Sequence, residues 1–173
     1  MNKIKLIFIL LFAVTGCSTI PSANISKVKL KKSGQYQATI TFEADTNLFD
    51  SGSNTNKFSV GRIYCPIAEQ AEITMEKNYP IYIDGYIKSP IPKSQPWIYT
   101  GLVVLDKSNE EKDKIRIAGM SKYDAKKYYS DAIVKGEEWK CKVIMIKAFG
   151  SASYSNVFVI PNNEILKAFS LIK

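Results

Sequence analysis

The clearest signal along the chain is a period of two. Tyr36, Ala38, Ile40, Phe42 and Ala44 alternate with Gln37, Thr39, Thr41 and Glu43, the pattern of a strand with one wet face. Val28 and Leu30 predict a short strand before it, separated by a turn at Ser33-Gly34. Further strands are predicted at residues 58–64, 71–76, 81–88, 97–105, 114–118, 138–149 and 154–160. The breaks between them carry turn chemistry: Ser89-Pro90-Ile91-Pro92 with Pro96, the polar run 106–113, and Gly150-Ser151. Residues 45–57, rich in Asn, Ser, Thr and Gly, form a long loop. Many short strands with such breaks predict a mainly β domain built as a single antiparallel β-sandwich.

Two helical pieces interrupt the alternation. Ser121 has the capping-box spacing to Asp124 and predicts a short internal helix through Tyr129. Pro161-Asn162-Asn163 opens a short C-terminal helix, on which Ile165, Phe169 and Ile172 share one face that is expected to pack on the sandwich, a partner helix being the alternative.

The first seventeen residues read differently. Lys3 and Lys5 precede an apolar run of about eleven residues from Ile4 to Val14, the length of a signal-peptide core and too short to span a bilayer of roughly 30 Å. The run ends in Val14-Thr15-Gly16-Cys17-Ser18, which resembles the lipobox of bacterial lipoproteins. The resemblance implies that residues 1–16 are a signal peptide, that Cys17 carries the lipid, and that residues 17–27 tether a domain spanning 28–173. Two or three acyl chains hold a protein on a membrane, whereas one is marginal. Ser18 stands where an Asp often retains such lipoproteins in the inner membrane, so the resemblance favours the periplasmic face of an outer membrane, if the cell has one.

Composition narrows the chemistry. The chain of 173 residues has 24 Lys+Arg, 16 Asp+Glu and no His, for a net charge of +8 that falls by two when Lys3 and Lys5 are removed. Without His, the Ser-His-Asp and Cys-His nucleophile systems and His-ligated zinc are absent. A basic balance would suggest nucleic acid in a cytosolic protein. Export leaves anionic headgroups, cell-wall polymer or an acidic protein surface as partners, or simply a solvated basic surface. With Cys17 lipidated, Cys65 and Cys141 are an even pair in an oxidising compartment and predict a disulfide. It would close a loop of 76 residues, a stabilisation of about 4 kcal/mol in the chain-entropy picture.

Residues 128–161 carry a second resemblance. Gly136, the alternating Trp139, Cys141, Val143 and Met145, the Gly150-Ser151 hairpin and Ser153-Tyr154-Ser155 resemble the last two strands of bacterial Ig-like and fibronectin-III-like domains. This implies an Ig-like or transthyretin-like sandwich with those four side chains inward. Cys65 follows the strand at 58–64 instead of lying in the strand that usually supplies the partner cysteine in such domains. A third resemblance joins Ile40-Thr41-Phe42-Glu43-Ala44-Asp45-Thr46-Asn47 and Val60-Gly61-Arg62-Ile63-Tyr64 to the start of the small outer-membrane lipoprotein of type VI secretion systems, itself a β-sandwich.

No catalytic set assembles. Glu110-Glu111 and Glu137-Glu138 are adjacent acids that cannot face each other across a scissile bond, and they read as solvated loops. Ser26 with Lys29, and Ser170 with Lys173, have Ser-x-x-Lys spacing, but neither serine opens a long helix and Ser-Asp-Asn is missing. Asp45, Asn47, Asp50 and Gly52 offer oxygens without the EF-hand spacing, so no metal and no cofactor is expected. The sequence therefore favours a non-catalytic, lipid-anchored envelope protein that binds a protein partner as an inhibitor, immunity protein or adaptor. A secretion-apparatus lipoprotein and a cell-wall or lipid enzyme are the alternatives. Candidate contact residues are Leu48 and Phe49 in one loop, Ile91 and Trp97 in another, and the Lys126-Lys127 pair beside Tyr128-Tyr129. For the loop residues the alternative is that they tuck back onto the core.

Overall fold

A computed structural model describes residues 22–49, 58–67, 73, 79–88, 90, 95–112, 119, 121–136, 138–147 and 152–171. The strands are β1 (Ile25–Gly34), β2 (Gln37–Ala44), β3 (Phe58–Pro66), β4 (Ile81–Ile87), β5 (Trp97–Lys107), β6 (Trp139–Lys147), β7 (Ala152–Tyr154) and β8 (Phe158–Ile160). Two helices accompany them, α1 (Lys122–Lys135) and α2 (Asn162–Ala168). All pairings are antiparallel, in the order β1-β2-β5-β4-β3-β6-β7, with β8 also on β6. The protein is thus mainly β, as its alternation predicts. One open path of hydrogen-bonded neighbours joins seven strands, and β8 branches from it at β6.

Local chemistry sets the register. β2 keeps its alternation throughout, with Ala38, Ile40, Phe42 and Ala44 all buried. β1 holds a bulge between Ser26 and Lys29 in which Lys27 takes φ 49°. The extra residue shifts the parity, so that Ile25 and Leu30 lie opposite buried Ala44 and Ile40 despite their odd spacing. β1 runs on to Gly34, so the hairpin turns at Gln35 and Tyr36 instead of at Ser33-Gly34. The expected strand at 154–160 is broken into β7 and β8, because Ser155 leaves the ladder. Its Oγ accepts from the Val143 amide at 2.9 Å while its own amide donates to the Val143 carbonyl at 2.9 Å.

One core fills the inner face. Trp139, Cys141, Val143 and Met145 all point into it, as the Ig-like resemblance implies, and meet Phe42, Tyr99 and Ile83 there. Glycine lets neighbouring strands close up at Gly85, where a Cβ would lie 2.1 Å from the Leu102 carbonyl oxygen. The side chain of Ile87 fills the space that a Cβ on Gly61 would need. α2 caps this core with Ile165, Leu166, Ala168 and Phe169; Ile172 lies outside the described residues.

Cys65 and Cys141 form the expected disulfide, with an S–S distance of 2.12 Å. Continuing the β3–β6 register of Tyr64 opposite Lys142 puts the two cysteines directly opposite each other, with Cα atoms 4.2 Å apart. The bridge ties neighbouring strands, not two facing layers as in Ig-like domains.

The capping box is present: Ser121 Oγ accepts from the Asp124 amide and the Asp124 carboxylate accepts from the Ser121 amide. The Ser121 hydroxyl, which donates to the same carboxylate at 2.6 Å, and after it the Ser121 amide hold the Asp124 carboxyl below its ordinary range. α1 outlasts the expected end at Tyr129, because buried Ile133 continues its apolar face. Residues 109–112 form a helical turn where a loop was expected, with Ser108 Oγ accepting from the Glu111 amide at 3.2 Å. Glu111 is buried there and accepts a hydrogen bond from Tyr128, which corrects its reading as a solvated acid. The strands expected at 71–76 and 114–118 lie outside the described residues, Ile73 apart.

Candidate functional site

The outer face of the sheet has an unusual composition for a solvated surface. Register places Thr39, Leu102, Tyr86, Arg62, Ile144 and Tyr154 side by side on β2, β5, β4, β3, β6 and β7. Tyr86 is 62% exposed, Leu102 48% and Tyr154 40%. Ile98 on β5 and Val60 on β3 add exposed apolar surface beside this row. Lone exposed apolar residues are ordinary, but Leu102 and Tyr86 side by side, with Tyr154 in the same row beyond buried Ile144, are an organised feature.

Arg62 is the centre of the row. Its Nε and terminal nitrogen both donate to the Asp84 carboxylate, the two-pronged geometry that suits a guanidinium. The same guanidinium lies 5.9 Å from the Tyr86 ring centroid, so it orients the exposed ring as well as the carboxylate. At the far end Lys142 Nζ sits 5.5 Å from the Tyr154 ring centroid. Below Arg62, Tyr64 packs against Tyr79 and Tyr82 with Ile73 and Ile144 beneath, a second, smaller apolar cluster. Burial there pushes the Tyr64 hydroxyl up to about 12, and the same cause raises that of Tyr82.

The charges of this face are unbalanced. Asp84 is paired with Arg62, Glu43 with Lys27 at 3.1 Å, and Asp106 with Lys112 at 3.2 Å. Lys88, Lys140 and Lys142 form no ion pair among the described residues, and Lys88 is exposed. The face is therefore apolar and aromatic along its middle, with cations beside it that have no carboxylate partner among the described residues.

The residues expected to make contacts lie elsewhere. Leu48 is buried, and its amide donates to the Tyr99 hydroxyl at 2.7 Å. Phe49 is half-buried with its ring 6.2 Å from that of Tyr99. Both therefore tuck back onto the core, the alternative already open for loop residues. Asn47 accepts from the Phe49 amide and from Tyr99, and Asp45 accepts twice from Asn24, so two of the oxygens considered for calcium are engaged within the fold. Trp97 is half-buried against the core, and Ile91 lies outside the described residues, as does Cys17. Lys127 is exposed, Lys126 is half-buried, and Tyr128 and Tyr129 pack inward, Tyr129 with its ring 5.4 Å from Tyr36.

Sequence reasoning missed the outer row, although a signal for it exists. In 81–88 and 97–105 the positions that should be wet include Tyr82, Tyr86, Ile98 and Leu102, so both faces of those strands are apolar. Among the described residues no cluster of His, Cys, Asp and Glu is arranged to hold a metal ion, and no helix is long and apolar enough to cross a membrane. No family model, curated protein or solved structure matches the chain.

Proposed function

We propose that this chain is a lipid-anchored protein of the bacterial envelope, held by Cys17, whose sheet binds an acidic protein partner through its outer face without catalysing a reaction. The observation that carries the partner reading is the exposed Leu102, Tyr86 and Tyr154 in one row with Arg62, together with Lys88, Lys140 and Lys142, which form no ion pair among the described residues. Tyr and Arg dominate the energetic centres of protein interfaces, because they add apolar area and a polar handle at small entropic cost. Arg62 and Tyr86 are oriented before any partner arrives, which lowers the cost of ordering them. Free lysines around an apolar centre complement a partner surface with an acidic rim and speed its encounter.

The anchor reading is supported by the leader, by the lipobox resemblance, and by the short distance along the chain from Cys17 to buried Ala23 and Ile25. Asn24 is tied there to Asp45 through its backbone amide at 2.9 Å and its side-chain amide at 2.6 Å, so the domain begins close behind the lipid. We read the open antiparallel sheet, packed over its larger core, as the sandwich architecture that the strand pattern predicts.

A photo-crosslinking residue at position 86, compared with one at exposed Val134 on α1, tests the partner reading in intact cells. A discrete product is expected from 86 alone, and Lys88→Glu with Lys142→Glu should abolish it. Equal labelling from both positions would end the proposal. In the same cells Cys17→Ala should move the protein from salt-washed membranes to the soluble or unprocessed fraction.

A further inference from the structure

We propose that the protein has a second binding site, a basic cleft between the β1–β2 turn, the start of α1 and the end of α2, and that it takes a small organic anion: a phosphate or carboxylate on a short ring or alkyl body. The cleft has a volume of about 270 Å³ and is lined by Lys32, Gln35, Tyr36, Lys126, Phe169 and Ser170. That is just below the usual range for small-molecule pockets, which sets the size of ligand.

The lining residues explain the choice of ligand. Lys32 and Lys126 come from different elements to the same cleft, and neither forms an ion pair among the described residues. Two like charges beside one hollow repel each other, and an anion between them relieves that cost. Phe169 and Tyr36 supply apolar wall, which suits a ligand that is not a bare inorganic ion. Among the described residues no carboxylate lines the cleft to compete with such an anion.

Backbone conformation sets the cleft apart from ordinary surface. Tyr36 has φ 59° and Ser170 φ 57°, both in the left-handed region that favours glycine. Such conformations are strained for residues with a side chain, and they collect where a site is being shaped. Ser170 occupies the position after the α2 cap that glycine normally takes. Its amide donates to the Lys167 carbonyl and the Leu171 amide to the Leu166 carbonyl, the two bonds of a Schellman ending. In addition, Ser170 Oγ is buried without a hydrogen-bond partner among the described residues. An ending built only for stability would carry glycine, which has neither the strain nor the orphan hydroxyl. Two left-handed residues, one orphan hydroxyl and two lysines without an ion-pair partner among the described residues meet in one hollow, and a bound anion would satisfy the lysines and the hydroxyl.

The ligand group is found both on free small molecules and on lipid headgroups, so the test needs both sources. Full-length protein is titrated calorimetrically with phenyl phosphate, and separately with vesicles containing phosphatidylglycerol or only phosphatidylcholine. Saturable binding of phenyl phosphate identifies a free small anion as ligand. Binding confined to the anionic vesicles identifies a headgroup. In either case Lys32→Gln with Lys126→Gln should weaken the interaction tenfold or more and leave the melting temperature within about 1 °C. Amide signals of Gln35, Tyr36 and Ser170 in the wild-type protein should move on titration, a readout that needs no variant. Unchanged affinity in the double variant, no shift at those three amides, or no saturable binding of any probe would overturn the proposal.

Discussion

The two faces of the sheet are made from the same strands and obey different rules. On the inner face of β4 lie Ile81, Ile83, Gly85 and Ile87, all buried; on its outer face lie Tyr82, Asp84 and Tyr86. The inner face packs aliphatic side chains around buried Trp139, Tyr99 and Phe42, with the two cysteines bridged within it, and leaves no room for an added methyl at Gly85. The outer face is aromatic and ionic, and its contacts are ring on ring or cation on ring at 5.5–6.0 Å. Close packing gives one stable arrangement of the inner side chains. A Tyr-and-Arg surface instead stays wet until something covers it. The difference teaches that this sheet draws most of its packing from one side, and on the other buries only the small cluster around Tyr64 and Ile144 while Tyr86 and Leu102 stay exposed.

If that division is right, the largest effect comes from crowding the inner face. Gly85→Ala puts a methyl 2.1 Å from a carbonyl oxygen of the neighbouring strand, and backbone cannot step aside as a side chain can. A loss of about 3 kcal/mol is expected, read from the urea midpoint at unchanged slope. A variant within about 1 kcal/mol of wild type would mean that β4 and β5 are not so closely paired.

How much of this was legible beforehand depends on range. Alternation, capping and turn chemistry act over a few residues, which is why β2, the inward set of β6 and the Ser121–Asp124 box are plain in the sequence. The neighbours β2–β5 and β3–β6 are set by long-range closure around a shared core, and no local pattern encodes them. The cysteine pair was countable, but its place between adjacent strands was not. Ser155 interrupts an apolar run through one side-chain hydrogen bond, and Leu48 is drawn inward by one tyrosine hydroxyl; neither partner is near in sequence. The outer row is a product of register, so its members become neighbours only once the strand order is known.

An intermediate effect separates the buried edge of the outer face from its exposed middle. Tyr64 holds its proton up to about 12 because burial disfavours the phenolate, whereas an unfolded tyrosine loses it near 10. The folded form is thus the one that keeps the proton. The stabilisation is complete below pH 10 and disappears as pH rises from 10 to 12. Thermal unfolding followed from pH 9 to 12 should show a decline that Tyr64→Phe makes shallower. An unchanged decline in that variant would place the late-titrating proton on another tyrosine, such as Tyr129, whose hydroxyl burial also pushes up to about 12.

The smallest effect belongs to the middle of the outer row, and its smallness is what makes it informative. Leu102 is 48% exposed, lies opposite Tyr86 and Thr39, and belongs to neither apolar cluster. Leu102→Thr keeps a good strand former in place and removes only surface that is already half wet, so stability should change by no more than about 0.5 kcal/mol. At a partner interface the same change leaves a hydroxyl where an apolar contact was, and the crosslink from position 86 should weaken several-fold. The equivalent change on the inner face, Ile83→Thr, buries a hydroxyl among aliphatic side chains and should cost about 2 kcal/mol or more. Equal stability losses at 83 and 102 would show that the outer row is a second core covered by this chain itself, and the surface would no longer be free for a partner.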